Sequence, residues 1–107
     1  MKLWVDDMRP APEGWFWARS VNDAKYHIEW WEKYVVPYGE QLEVISTDHD
    51  AGDFYHDGGD YIRLLDWLEE TGRNYPIRIH SANVVGVQNM RRIIERNGWK
   101  EIKWKQL

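Results

Sequence analysis

Three short apolar runs in this chain each end in a cluster of polar residues, and this pattern restricts the fold more than any other feature. The clusters are Asp6-Asp7, Asp48-His49-Asp50 and His80-Ser81-Ala82-Asn83. Helical patterns lie between the later runs, and alternation of strands with helices over short connections is typical of a parallel sheet. The carboxyl ends of neighbouring parallel strands share one edge, where ligands bind. We therefore expect the three clusters to meet in space.

The apolar periodicity predicts five strands and three helices. The strands comprise Leu3–Val5, Trp15–Arg19, Leu42–Thr47, Ile77–His80 and Glu101–Trp104. The buried helical faces comprise Val21, Ala24, Ile28, Trp31 and Val35, then Tyr61, Leu64, Leu65 and Leu68, then Val87, Met90, Ile94 and Asn97. Ser20 and Asp60 are the expected N-caps of the first two helices, and Gly98 fits the position after the third.

The composition excludes several functional classes. The 107 residues are enough for one domain, 1–107, and 14 Lys and Arg against 18 Asp and Glu give a net charge of −4. This charge argues against binding to long duplex nucleic acid, but it suits a small nucleotide or a single RNA end. The chain lacks cysteine, which rules out disulfides and thiol nucleophiles. Because no apolar run resembles a signal peptide or a membrane span, we expect a cytoplasmic protein without a membrane partner.

Acidic residues follow the first and third predicted strands. Asp6, Asp7, Asp48 and Asp50 offer the oxygen ligands that Mg²⁺ and Mn²⁺ prefer, so the sequence predicts a divalent metal site. The alternative is that Asp6 and Asp7 only cap and solubilise a loop. The segment from Asp48 is not a calcium-binding EF-hand loop, because its sixth position is Asp53 rather than Gly.

Two histidines follow adjacent predicted strands, His49 after the third and His80 at the end of the fourth. A neutral imidazole takes a proton from water, and an imidazolium gives one to a leaving alkoxide. Opening a cyclic phosphate needs both acts, so His49 and His80 are candidate catalytic residues. The alternative is that one or both are packed, hydrogen-bonded structural residues.

Three further residues are candidates for phosphate binding. Ser81 and Asn83 offer hydrogen bonds to phosphoryl oxygens, and Arg78 offers a fork of donors if its side chain reaches the edge of the sheet. A structural ion pair is the alternative for Arg78. Ser81 is also a candidate catalytic hydroxyl, although no Ser-His-acid arrangement can be deduced from the sequence.

With these elements placed, the chain resembles the receiver domain of two-component signalling. Receivers have an acidic pair after the first strand, an aspartate after the third, and a Ser or Thr commonly followed by Ala after the fourth. The matching residues here are Asp6 and Asp7, Asp48, and Ser81-Ala82. The segments "LWVDDMRPAPEGW", "STDHD" and "IRIHSAN" are similar to a divergent branch, the cyclic-phosphate processing receiver-like domains. This resemblance implies a flavodoxin-like fold with a parallel five-stranded sheet, and a role on cyclic phosphates of nucleotides or RNA ends.

Departures from the receiver pattern predict a bare face on the sheet. Met8–Gly14 leaves no room for the first receiver helix, and no fifth helix is expected before Leu107. Lys103 and Lys105 are the candidates for the receiver lysine, without the usual following proline. The two missing helices would lie on the same face. Either the loop and the C-terminal tail cover that face with tryptophans, or two chains pair there as a symmetric homodimer, which we favour.

The leading hypothesis is therefore a metal-dependent phosphoesterase that hydrolyses a cyclic phosphate in a nucleotide or at an RNA end. Two alternatives remain open. The same edge could bind a cyclic nucleotide without turning it over, or Asp48 could accept a phosphoryl group as in a signalling receiver.

Overall fold

The computed structural model describes residues 1–103 as a parallel sheet of four strands with three helices. In chain order the elements are β1 (Lys2–Val5), β2 (Phe16–Ala18), α1 (Val21–Tyr34), β3 (Val44–Thr47), α2 (Ile62–Glu70), β4 (Ile77–Ile79) and α3 (Val84–Asn97). The strand order is β2-β1-β3-β4, and every pairing is parallel. This confirms the predicted receiver-like architecture.

The predicted fifth strand is wrong for the described part of the chain. The segment after α3 approaches β4 at one point only, a parallel bridge between Ile77 and Glu101. Two hydrogen bonds support the bridge, from Ile77 N–H to the Lys100 carbonyl and from Ile102 N–H to the Ile77 carbonyl. One residue pair does not make a ladder. The rest of the predicted strand, at Trp104, lies outside the described residues.

Two of the three predicted helix boundaries are confirmed. Ser20 caps α1, because its hydroxyl accepts the N–H of Asp23. Gly98 ends α3 with a φ of 68°, a left-handed conformation that suits glycine. The predicted cap at Asp60 is wrong: α2 begins later, and the Asp60 carboxylate instead accepts the N–H of Ala51 at 3.0 Å. That bond holds the loop before α2 to the end of β3.

The helices and the sheet enclose one hydrophobic core. The connections through α1, α2 and α3 all lead across the sheet in the same direction, so right-handed crossovers place the three helices on one face. Leu3, Ile45 and Ile77 stand in register on neighbouring strands and are fully buried against these helices. The predicted buried face of α2 is confirmed, since Tyr61 and the leucines beside it are almost completely buried.

The second face of the sheet carries Trp4, Ser46 and Arg78 in register. No helix covers this face in residues 1–103, as expected from the missing receiver helices. Trp4 is nevertheless only 8% exposed within one chain, and Trp15 packs edge-on against it with ring centroids 5.8 Å apart. Trp15 belongs to the loop after β1, so part of the face is covered from within the chain. Homodimerisation through this face remains a prediction.

The tryptophans divide between the core and the surface. Trp31 and Trp99 are buried, whereas Trp30 on the outer side of α1 is about half exposed, together with Tyr26 and Tyr34. The aromatic residues therefore contribute to both the core and an exposed surface. No helix in the part of the chain described here is long and apolar enough to span a membrane.

Candidate metal and phosphate site

Three carboxylates converge at the carboxyl ends of β1 and β3. Asp6 and Asp7 follow β1 and Asp48 follows β3, and one oxygen from each lies within 4.8 Å of the others. The strands bring them together because β1 and β3 are neighbours, and Asp48 N–H continues the ladder by donating to the Val5 carbonyl at 2.9 Å. We refer to Asp6, Asp7 and Asp48 as the acidic cluster. The structure thus brings together three of the four carboxylates predicted to bind metal.

Asp6 is the buried member of the acidic cluster, with 1% of its surface exposed. Its Oδ1 accepts the backbone N–H groups of Met8 and Arg9, both at 2.9 Å, and its Oδ2 lies 3.0 Å from His80 Nε2. Burial raises the pKa of Asp6, but these hydrogen bonds outweigh it and hold the pKa below its usual value. Asp6 is therefore an ionised, rigidly held ligand candidate.

Asp7 is the member of the acidic cluster whose negative charge is least favoured. Burial raises the pKa of Asp7, and the negative charges of Asp6 and Asp48 raise it further. Its Oδ2 occupies the space beside Gly52, where a Cβ would lie 2.3 Å away. Gly52 also has a φ of 54°, so two constraints favour glycine there. A cation among the three oxygens would relieve the repulsion, so the residues present fit a hard divalent metal.

A second group forms beside the acidic cluster from His49, Asp50 and Asp60, whose ligand atoms lie within 4.8 Å of one another. His49 Nδ1 lies 3.0 Å from Asp50 Oδ1, and the Asn83 amide lies 3.3 Å from the Asp50 carboxylate. The hydrogen bond from His49, and then the one from Asn83, lower the pKa of Asp50. An ionised Asp50 therefore fixes the orientation of an imidazole that is 14% exposed.

His80 lies away from solvent, on the second face of the sheet. Its ring stacks on Trp4 with centroids 3.8 Å apart and planes 6° apart, and its side chain is 6% exposed. Nδ1 lies 2.8 Å from Ser46 Oγ while Nε2 faces Asp6. Burial lowers the pKa of His80, and the Asp6 carboxylate opposes that shift. Both ring nitrogens are engaged, so His80 reaches the acidic cluster only through Asp6.

The candidate phosphate ligands are distributed over different places. Ser81 Oγ accepts the N–H of Asn83 at 3.1 Å, and Asn83 Oδ1 caps α3 by accepting the N–H of Gly86. Arg78 lies on the second face, where Nη1 approaches Ser46 Oγ at 3.5 Å. Its Nε is buried without a hydrogen-bond partner among residues 1–103, and burial lowers the pKa of Arg78. The structure therefore places Asn83 beside His49, whereas Arg78 lies on the second face of the sheet.

The chain matches a known protein family. The model of the cyclic-phosphate processing receiver domain matches residues 1–96. The chain belongs to this family. The comparison with curated proteins and the comparison with solved structures found no match. The match covers β1 to α3 and therefore includes the acidic cluster, His49 and Asn83.

This cyclic-phosphate processing receiver domain contains an arginine at its site that sequence reasoning did not find. Arg19 donates from Nε and Nη2 to the Asp7 carbonyl, at 3.1 and 2.6 Å. Its guanidinium lies 4.8 Å from the ring centroids of both Trp17 and Phe54. Tyr61 donates its hydroxyl to the Arg19 carbonyl at 2.7 Å. Arg19 directly follows β2, which is the only sequence signal that could have indicated it.

The candidate receiver lysines do not extend this site within the described residues. Lys103 is 60% exposed and binds Glu101, with Nζ 2.6 Å from Oε2. Glu101 in turn binds Arg91 of α3 through two hydrogen bonds. Lys105 lies outside the described residues. The positive charge beside the acidic cluster comes instead from Arg19 and from Arg9, whose Nε lies 4.0 Å from Asp6.

Proposed function

We propose that this receiver domain hydrolyses a cyclic phosphate, in a nucleotide or at an RNA end, with the help of Mg²⁺ or Mn²⁺. The observation that carries the proposal is the convergence of Asp6, Asp7 and Asp48 within 4.8 Å, beside an oriented His49. The family match supports a cyclic phosphate as the substrate class. The net charge of −4 favours a small substrate or a single RNA end over a long duplex.

Asp6, Asp7 and Asp48 would hold the divalent cation, with Asp50 as a supporting carboxylate. When bound, such a cation withdraws electron density from phosphoryl oxygens and lowers the pKa of a nearby water. Three hydrogen bonds fix the Asp6 carboxylate in place. The Asp7 carboxylate lies near the negative charges of Asp6 and Asp48, which repel it. Ionised carboxylates are hydrogen-bond acceptors and carry negative charge, so they repel a phosphate. A bound cation would compensate this charge and let the phosphate approach.

His49 is suited to move protons in this hydrolysis. As the neutral imidazole it takes a proton from the attacking water, whose oxygen bonds to phosphorus. The bond from phosphorus to one ring oxygen of the cyclic phosphate breaks, and the imidazolium gives its proton to that oxygen. Asp50, 3.0 Å from Nδ1, stabilises the imidazolium and fixes the ring. When the substrate is a terminal cyclic phosphate or a cyclic mononucleotide, the product is a phosphomonoester.

Arg19 and Asn83 are suited to bind the phosphate on either side of the acidic cluster. Arg19 is exposed, and its guanidinium is held by the backbone carbonyl of Asp7, a member of the acidic cluster. Guanidinium donors match phosphate oxygens in a planar fork. Asn83 lies at the start of α3, where backbone N–H groups also favour an anion. Ser81 lies two residues before it and offers a further hydroxyl.

The test is a screen of cyclic mononucleotides, cyclic dinucleotides and RNA with 2′,3′-cyclic ends, each with Mg²⁺ or Mn²⁺. We expect turnover by the unaltered protein and none by Asp48→Asn, which should retain its fold. Asp66→Asn, which removes a carboxylate from α2, is the matched control and should remain active. Unchanged Mg²⁺ and Mn²⁺ affinity in Asp48→Asn, measured by calorimetry, would remove the metal assignment.

The same screen distinguishes the two alternatives. Tight binding without turnover would indicate a module that senses or sequesters a cyclic nucleotide. An acid-labile phosphate on Asp48, formed with a small phosphodonor, would indicate a phosphoacceptor receiver. Ring opening of a cyclic mononucleotide or a terminal cyclic phosphate to a phosphomonoester, without such an intermediate, supports hydrolysis by water.

A further inference from the structure

A chain of four hydrogen-bonded polar side chains runs along the second face of the sheet to Asp6 of the acidic cluster. Arg78 Nη1 lies 3.5 Å from Ser46 Oγ, Ser46 Oγ lies 2.8 Å from His80 Nδ1, and His80 Nε2 lies 3.0 Å from Asp6 Oδ2. Ser46 is fully buried, and Asp6 and His80 are nearly so. The strands dictate this order, because Ser46 and Arg78 are register partners on β3 and β4.

The arrangement resembles a Ser-His-Asp triad, but its geometry excludes nucleophilic catalysis by Ser46. Ser46 is completely buried on the second face, so no substrate reaches its Oγ. Trp4 closes the site further by stacking on the imidazole. A catalytic serine must contact the reacting carbon or phosphorus atom. The chain therefore has another use, and the end that reaches the acidic cluster is Asp6.

The donors and acceptors in the chain have one consistent direction. The ionised Asp6 carboxylate is an acceptor only, so His80 Nε2 donates to it. An arginine guanidinium is a donor only, so Arg78 donates to Ser46 Oγ. Ser46 has one hydroxyl proton, and it satisfies that proton by donating to His80 Nδ1. The chain thus runs from donor to acceptor as Arg78, Ser46, His80 and Asp6.

We infer that Ser46 and His80 are positioning residues: the Ser46 hydroxyl, by donating to Nδ1, reinforces the Nε2–H tautomer that Asp6 favours, and the imidazole thereby holds Asp6 Oδ2 in place. Stacking against Trp4 fixes the plane of the ring, and the two hydrogen bonds fix its rotation within that plane. Asp6 Oδ1 is held separately by two backbone N–H groups. The carboxylate is therefore preorganised at both oxygens: the two backbone N–H groups use both lone pairs of Oδ1, whereas Oδ2 retains one lone pair for a cation.

This inference rests on the proposed function only where it treats Asp6 as a metal ligand. The hydrogen-bond direction and the tautomer are properties of the metal-free protein. Outer groups that orient metal ligands typically change affinity by about 10- to 100-fold when they are removed. The inference also gives His80 a role different from that of His49, which is oriented by Asp50 and faces the substrate side.

The first experiment measures the tautomer directly by ¹⁵N NMR of the imidazoles in the metal-free protein at neutral pH. We expect a protonated Nε2 and an unprotonated Nδ1 for His80, and a population with a protonated Nδ1 in Ser46→Ala. Ser46→Thr retains the hydroxyl and should restore the Nε2–H tautomer. A proton on Nδ1 of His80 in the unaltered protein would overturn the inference, whatever the protein does with metals.

The second experiment compares Mn²⁺ affinity in two His80 variants by calorimetry. His80→Gln places an amide donor near the position of Nε2 and should bind Mn²⁺ within a few-fold of the unaltered protein. His80→Asn places its amide near Nδ1, leaves Asp6 without this donor, and should weaken binding by about 10- to 100-fold. Equal affinities in two folded variants would contradict the positioning role. If the unaltered protein binds no metal, the proposed function fails and the NMR result still decides the inference.

Discussion

The imidazole of His49 lies directly against the backbone of Gly86, where a Cβ would fall 2.5 Å from two of its ring carbons. Gly86 is buried in the first turn of α3 and donates its N–H to Asn83 Oδ1 at 2.9 Å. The Asn83 amide in turn contacts Asp50, the partner of His49. The start of α3 and the proposed proton-transfer residue therefore form one packed unit, and glycine is the residue that lets them approach.

Gly86→Ala should displace His49 and lower turnover without unfolding the protein. Alanine is favoured over glycine within a helix by about 1 kcal/mol, which offsets part of the cost of moving the ring. We expect kcat to fall by at least about tenfold, because displacement by roughly 1 Å is enough to disturb proton transfer. The check combines steady-state kinetics with thermal unfolding. Val85→Ala, in the same turn but exposed, is the control and should leave kcat unchanged.

Removal of the His49 imidazole is a more direct test of its proposed role in proton transfer. His49→Ala should lower kcat by about 10²- to 10⁴-fold, the usual size of a general acid–base contribution. Substrate binding should change far less, because Arg19 and Asn83 remain. His27→Ala, which removes a histidine from the middle of α1, is the control. A His49→Ala protein with unaltered kcat would assign His49 to packing against Gly86 alone.

Asp7→Asn should stabilise the metal-free protein while abolishing metal binding. The raised pKa of Asp7 means that the folded state opposes its negative charge, so this charge costs stability at pH values above its titration. Asparagine removes the charge at nearly constant volume. We expect a gain of about 1 kcal/mol at pH 7, because asparagine avoids the burial of a charge and also a like-charge repulsion of roughly that size in water. The gain should disappear in acid, where Asp7 of the unaltered protein is itself protonated.

Denaturant unfolding at several pH values, with chelator present, measures this difference. Asp53→Asn, in the exposed loop after β3, is the matched control and should show no such gain. A destabilised Asp7→Asn protein at pH 7 would show that the Asp7 charge is already compensated in the metal-free state.

The sequence predicted the frame of this domain because apolar periodicity reports burial directly. Leu3, Ile45 and Ile77 belong to the short apolar runs that predicted the strands, and all three fall on the core face. The position of the acidic cluster followed from strand order alone. Both predictions depend on backbone geometry that is common to all parallel sheets.

The details of the site could not be predicted because they depend on side-chain direction and loop paths. Strand alternation placed His80 on the same face as Arg78, but only the structure shows that it turns away from solvent to bind Ser46 and Asp6. Arg19 and Asp60 lie at loop ends, where no periodicity indicates a neighbour. A loop-end residue finds its partners through contacts between segments far apart in the sequence, and a single sequence does not contain that information.

Glu32 provides a test of pH dependence away from the site. The single Nε–H of Arg73 is shared between the two oxygens of Glu32, Arg73 Nη2 donates to one of them, and Tyr75 donates its hydroxyl to the other. Burial raises the pKa of Glu32, but these bonds outweigh it and lower the pKa below the ordinary glutamate value. The ionised form is therefore stabilised by folding. This stability is present above the ordinary pKa of about 4.3 and is lost as the pH falls through the lower folded-state value.

Glu32→Gln should consequently destabilise the protein by about 1–2 kcal/mol at pH 7, within the range for hydrogen bonds to charged groups. The difference from the unaltered protein should shrink as the pH falls below the ordinary glutamate pKa of about 4.3 and then through the lower folded-state pKa of Glu32. Urea unfolding across this pH range measures it, with Glu29→Gln on the exposed side of α1 as the control. A difference that stays constant down to acidic pH would show that the charge of Glu32 contributes nothing.

Substitution of Arg19 should affect substrate binding, measured by KM, more than the chemical step, measured by kcat. Its guanidinium is fixed by the Asp7 carbonyl and lies over Trp17 and Phe54, so it offers its remaining donors in one orientation. Arg19→Lys retains the charge but loses the planar fork and the two-point attachment to Asp7. We expect KM for the cyclic phosphate to rise by about tenfold, corresponding to roughly 1.4 kcal/mol, with a smaller change in kcat.

Arg63→Lys is the matched control, since Arg63 is an exposed arginine on α2 that pairs only with Asp66 among the interactions described. It should leave both constants unchanged. If Arg19→Lys lowers kcat and kcat/KM equally with KM unchanged, Arg19 stabilises the transition state rather than the bound substrate. If neither constant changes, Arg19 serves to hold the loop at Asp7, and the phosphate must bind through the start of α3 at Asn83.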